Sequence, residues 1–78
     1  MNTASQDASQ RLHDMVCRWA AKRLNHLRQG DEDGALLIEG WLFGVQMTAE
    51  ALGLIDLAAQ ARAARLAAPA THTAQVQP

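Results

Sequence analysis

Two side chains in the first quarter of the chain have the types and the spacing to do chemistry, namely His13 and Cys17. They are four residues apart, so on a helix they share a face and could supply two metal ligands, or a thiol with a neighbouring base. His26 and His72 lie elsewhere, and no further ligand cluster, orienting group or oxyanion motif accompanies the pair. The sequence therefore predicts no metal site, no cofactor and no catalytic residue. We do not expect the protein to be an enzyme.

The acidic segment 31–34, with the sequence Asp-Glu-Asp-Gly, has the residue types found in the middle of a calcium-binding loop. Aligning Gly34 with the invariant glycine of such a loop places Gln29 at the first ligand position and Gly40 at the last. Neither residue supplies a carboxylate, so both end ligands are missing. The segment is predicted to be a turn in which Asp31 caps the following helix.

Charge is segregated along the chain although the formal net charge is only −1. Residues 5–29 carry five basic and two acidic side chains, whereas residues 30–56 carry six acidic and none basic. Four of the basic residues are candidate contacts for phosphates or for an acidic protein surface: Arg11, Arg18, Lys22 and Arg28. No helix-turn-helix spacing or aromatic stacking platform accompanies them. The simpler interpretation is a solvated face whose charges pair with the acidic turn or across a dimer.

Hydrophobic periodicity predicts an all-α fold, with helix 1 at about 7–29, helix 2 at about 32–52 and helix 3 at about 56–67. Residues 1–6 are expected to form a flexible N-terminus and residues 68–78 a disordered tail, leaving a single helical domain at 7–67. The short turn makes helices 1 and 2 an antiparallel hairpin. The expected core is the set Leu12, Val16, Trp19, Leu24, Leu27, Leu37, Ile38, Trp41, Val45, Leu52, Ile55 and Leu66.

Gly53 leaves the end of helix 2 open to two interpretations. Helix 2 can end there, with Gly53 in a left-handed conformation and Asp56 capping a third helix. Alternatively helix 2 continues, because Val45, Leu52 and Ala59 are each seven residues apart on one seam. We favour the break.

Helix 2 is apolar on two faces, and helix 1 can cover only one of them. The second face predicts a homodimeric helical bundle or a docking surface for another protein. Its residues are Leu36, Gly40, Trp41, Phe43, Gly44, Met47 and Leu54. Gly40 and Gly44 are interpreted as room for Trp19 or another large side chain of helix 1, although close approach of a second subunit would give the same sequence pattern.

The longest uncharged stretch within the predicted helices runs from Gly40 to Ala49, about half the roughly 20 residues that a membrane-spanning helix needs. The N-terminus is polar and has no secretory pattern, so the protein is expected in the cytoplasm. The favoured function is a small non-catalytic interaction module: an adaptor, subunit or inhibitor of a larger protein, compatible with a phage or mobile-element origin. The alternative is a dimeric nucleic-acid-binding regulator that uses the basic face of helix 1.

Overall fold

The computed structural model describes residues 3–69, with side chains from residue 7 onwards, and shows an all-α fold of three helices. They are α1 (Thr3–Arg28), α2 (Glu32–Ala51) and α3 (Ile55–Leu66). The predicted antiparallel hairpin followed by a short third helix is confirmed, and α3 packs against both other helices. The backbone of residues 3–6, expected to be flexible, forms the start of α1. Residues 67–69 are not helical, and the rest of the predicted tail, 70–78, lies outside the described residues, as do residues 1–2.

Both interhelical turns end the preceding helix in the same way. Gly30 and Gly53 adopt positive φ values of 77° and 75°, which a residue with a Cβ reaches only at a cost. After α1, Gly30 N–H donates to Leu27 C=O, and Asp31 N–H donates to His26 C=O. After α2, Gly53 N–H donates to Glu50 C=O, and Leu54 N–H donates to Ala49 C=O. This paired pattern is a Schellman motif, and it satisfies carbonyls that the helix end leaves free.

The break at Gly53 is therefore confirmed, but the predicted cap of α3 is wrong. Leu54, not Asp56, occupies the N-cap position, and no side chain caps this helix end. Asp56 lies inside the first turn of α3, where its negative charge is still favourable toward the helix dipole. The connection is complete within residues 52–54, so α3 begins at Ile55, two residues before the start that an Asp56 cap would give.

The core is smaller and richer in alanine than the sequence analysis expects. Among the expected core residues, Val16 and Ile38 are buried, while Trp19, Leu24, Leu27 and Val45 are half-buried. Six expected core residues are exposed: Leu12, Leu37, Trp41, Leu52, Ile55 and Leu66. The buried positions that were not anticipated are Ala35, Leu42, Ala49, Leu57, Ala58, Ala61 and Ala64. Small side chains let α3 lie close to its neighbours, so helix surfaces with large side chains are turned outward.

Arg23 joins all three helices from inside the bundle. Its Nε donates to Glu39 Oε2 of α2 at 2.8 Å, and its Nη1 donates to the backbone oxygens of Ala64 and Ala67, at 3.3 and 2.6 Å. Only 7% of Arg23 is exposed, so the charge is paired rather than solvated. This guanidinium holds the C-terminal end of α3 against the hairpin.

Candidate interaction surface

Between residues 36 and 47 the outward side of α2 is an apolar surface, which we name the outer face. It consists of Leu36, Leu37, Gly40, Trp41, Phe43, Gly44 and Met47, all of them exposed. The five large side chains of the outer face are between 43% and 65% exposed. Six of the seven predicted interface residues lie here, and Leu37, which was expected in the core, joins them.

Gly40 and Gly44 do not make room for another helix of the same chain. A Cβ built on either residue would meet no atom within 4 Å. The interpretation that they make room for Trp19 is therefore wrong. Glycine inside a helix costs about 1 kcal/mol relative to alanine, and within this chain no close contact offsets that cost. The two glycines leave a shallow depression in the middle of the outer face.

Aromatic side chains mark both edges of the outer face. On the side of α1, the rings of Trp19 and Trp41 are 5.3 Å apart between centroids and tilted by 48°. On the side of α3, the guanidinium of Arg65 lies 5.2 Å above the Phe43 ring and also donates to Gln46 Oε1 at 3.0 Å. These contacts hold the two rings in place while each keeps more than two-fifths of its surface exposed.

Leu54 lies away from the other predicted interface residues, in the turn between α2 and α3. Together with Leu52 and Ile55 it forms a second exposed apolar group, which we name the turn patch. The patch borders a groove of about 710 Å³ lined by Leu12, His13 and neighbouring residues of α1 on one side, and by residues 53–57 on the other. The break at Gly53 thus separates the predicted surface into two.

The four basic residues predicted as phosphate or acidic-surface contacts are all exposed, but they do not form one continuous surface. Arg11, Arg18 and Lys22 are spaced seven and four residues apart and share one side of the helix. Arg28 follows Lys22 by six residues, which rotates it about a third of a turn away. Within residues 7–69, the ion pairs involve Arg23 and His26 and none of these four. The expected pairing with the acidic turn is therefore not seen in the single chain.

His13 and Cys17 share a face of α1, as predicted, and Gln60 of α3 lies against both. The Gln60 amide nitrogen contacts Cys17 Sγ at 3.1 Å and the His13 backbone oxygen at 3.3 Å, while its oxygen lies against His13 Nδ1. Over the part of the chain that the structure describes, no group of three or more His, Cys, Asp and Glu side chains comes together. The pair contributes to the contact between α1 and α3.

The acidic turn is a helix cap that also binds a histidine. Asp31 Oδ1 accepts from Gly34 N–H at 2.9 Å, and Asp31 Oδ2 lies 2.8 Å from His26 Nδ1. The hydrogen bond from Gly34, followed by the one to His26, holds the pKa of Asp31 below its usual value. A Cβ on Gly34 would lie 2.5 Å from His26 Nδ1 and 2.6 Å from Asp31 Oδ2, so a larger residue at position 34 would displace the ends of these two side chains. Asp31 is confirmed as the N-cap of α2.

None of the described helices combines the length and the apolar character needed to cross a bilayer. Comparison with protein-family models, with curated proteins and with solved structures finds no match to this chain.

Proposed function

We propose that this protein is a small non-catalytic interaction module that docks the outer face of α2 onto another protein chain. The observation that carries the proposal is the exposure of five large apolar side chains on one face of α2, within residues 36–47. We place it in the cytoplasm as an adaptor, subunit or inhibitor of a larger assembly, a role that phages and mobile elements often give to short helical proteins.

The size of the exposed surface supports this function. If a large side chain has about 200 Å² of accessible surface, the five residues leave roughly 500 Å² in water. That is near the upper limit for one patch on a monomeric protein, and more than half of the ~800 Å² that each partner buries in a standard interface. Trp41 is of a residue type that often dominates binding energy in such interfaces, and Phe43 is of a type enriched in their buried cores.

A photo-crosslinking amino acid placed at position 43 tests the proposal in the cells that make the protein. Benzoylphenylalanine retains an aromatic ring at Phe43, and the same residue at Asn25, on the exposed side of α1, serves as the matched control. We expect a covalent adduct with a defined polypeptide from position 43 and none from position 25. Equal labelling from both positions, or no adduct from position 43, would contradict the proposal.

Substitution gives an independent measurement on the purified protein. Phe43→Glu places a charge in the outer face and is expected to abolish association, while the helix content by circular dichroism stays unchanged. Leu66→Glu makes the same type of change at an exposed position of α3, outside the outer face, and is expected to leave association intact. If Phe43→Glu associates like the parent chain, the outer face is not the docking surface.

A second candidate function is a dimeric nucleic-acid-binding regulator, favoured by the exposed side of α1 that carries Arg11, Arg18 and Lys22. Phosphate contacts make binding fall steeply with salt, and the loss of each contact lowers the salt slope by about one. An Arg18→Ala, Lys22→Ala double variant that binds nucleic acid as the parent does would exclude this function. Arg28→Ala, which lies on another side of the helix, is the control.

A further inference from the structure

We infer that the occupant of the outer face is a second copy of this chain, with the two α2 helices crossing at Gly40 and Gly44. The inference rests on the proposed function, because it names the partner of the same surface. Three features of the described residues support it: the position of the two glycines, the size of the apolar surface, and the distribution of charge among the helices.

The glycines lie at the centre of the helix and of its outer face. α2 extends from residue 32 to residue 51, so Gly40 and Gly44 flank its midpoint. In a two-fold pair, each residue of the patch meets the same patch of the other copy. The depression of one helix then faces the depression of its partner, and the two backbones approach closely. The flanking side chains, Trp41 and Phe43 among them, pack around that crossing point. A foreign helix would approach equally closely only with small residues of its own at the matching position.

The apolar surface is large enough for this role. The roughly 500 Å² of exposed side chain estimated for the outer face is more than half of what each partner buries in a standard interface, before any contribution from α1 or α3. The single chain also has few large side chains inside it, since five of its nine buried core residues are alanine. A chain of this size commonly gains stability by pairing with itself.

The charges of α2 favour a crossed arrangement of the two α2 helices over an aligned one. α2 carries Glu32, Asp33, Glu39 and Glu50 and no basic residue. An aligned coiled coil would bring acidic helix ends together. At a crossing angle of about 50°, the ends of two helices of about 30 Å are separated by roughly 15 Å. This separation exceeds the ~8 Å over which charges interact strongly at physiological salt.

The crossing also gives the acidic ends a favourable neighbour. At this angle each end of α2 lies away from the α2 of the other copy and closer to that copy's α1 or α3. The exposed surface of α1 is basic, with four basic and two acidic residues apart from the buried Arg23, and α3 carries Arg62 and Arg65 against a single acid, Asp56. Whichever way the helices cross, the acidic central helix of one copy overlies a basic flanking helix of the other. The chain is thus complementary to itself in charge as well as in shape.

Light scattering on a sizing column, over a range of protein concentrations, measures the pairing directly. We expect a mass near twice 8.4 kDa for the full chain at micromolar concentration. Gly44→Leu fills the crossing point and is expected to raise the dissociation constant of the dimer at least about 100-fold. Ala21→Leu makes a similar small-to-large change on the exposed side of α1 and is expected to leave the constant unchanged. Circular dichroism checks that both variants remain helical.

Two results would overturn the inference. One is a parent chain that stays monomeric at tens of micromolar, and the other is a dimer that Gly44→Leu does not weaken. The crosslinking experiment distinguishes this failure from failure of the proposed function. A monomer whose position 43 crosslinks to a different polypeptide leaves the docking surface in place and assigns it to a foreign partner. A monomer that forms no adduct contradicts both.

Discussion

The two sides of α2 differ in the size of their side chains. The side toward α1 and α3 consists mostly of small or medium residues, whereas the outer face carries two leucines, a methionine, a tryptophan and a phenylalanine. A protein that functions as a free monomer would be expected to bury its largest apolar side chains. The inner side therefore determines how closely three helices pack, and the outer face offers the larger apolar surface to whatever docks there.

Truncating a leucine on each side of α2 tests this comparison with the largest expected effect. Leu42 is fully buried, so Leu42→Ala is expected to lower the free energy of unfolding by about 3 kcal/mol through lost burial and a cavity. Leu36 is 65% exposed, and Leu36→Ala is expected to cost less than about 0.5 kcal/mol in dilute protein. Urea unfolding measures both. Equal losses would mean that the two sides are not energetically distinct.

Removing Arg23 tests whether the polar contact inside the bundle is as important as its apolar neighbours. Arg23→Ala leaves Glu39 and two backbone oxygens of the α3 end without their donor, and it is expected to cost about 2 kcal/mol. Arg28→Ala removes an exposed arginine of the same helix and is expected to have little effect. Thermal unfolding of both variants, followed by circular dichroism, gives the comparison. Near-identical midpoints would show that the Arg23 contacts contribute nothing net.

Enlarging an alanine tests whether the inner side has room for a larger residue. Ala49 is 1% exposed, so Ala49→Leu forces α2 away from its neighbours and is expected to cost about 1 to 2 kcal/mol. Ala51→Leu, at an exposed position near the end of the same helix, is the matched control and is expected to be close to neutral. If Ala49→Leu stabilises the chain, the inner side is loosely packed and the size contrast is accidental.

The smallest expected effect is the pH dependence of the cap at the start of α2. Because the pKa of Asp31 is lowered in the folded chain, its contribution to stability is present above the unfolded value of about 3.8. That contribution is lost as the pH falls through the lower folded pKa. Asparagine also caps helices but does not titrate, so Asp31→Asn should be less stable than the parent at neutral pH and approach it in acid. A constant stability difference between pH 7 and pH 2 would contradict this assignment.

The local features of the fold could be predicted from the sequence because they depend on neighbouring residues. A glycine after the last apolar turn marks the C-terminal ends of α1 and α2. The Asp31 cap follows from a carboxylate placed three residues before the backbone amide from which it accepts a hydrogen bond. The N-cap of α3 was mispredicted because a leucine occupies a position where a polar residue is usual. No residue type in the sequence indicates that a helix will begin there without a side-chain cap.

The sequence by itself determined an all-α chain, the antiparallel hairpin and the presence of more apolar surface on α2 than one neighbouring helix can cover, and it favoured a third helix after Gly53. Only the tertiary structure decided which side of α2 is covered, because a helix that is apolar on most sides has no periodicity that distinguishes its faces. The covered side is the one with Leu42 and not the one with Trp41, because the alanines of α3 allow close packing against Leu42. The buried role of Arg23 was decided in the same way, since its partners lie 16 to 44 residues away along the chain.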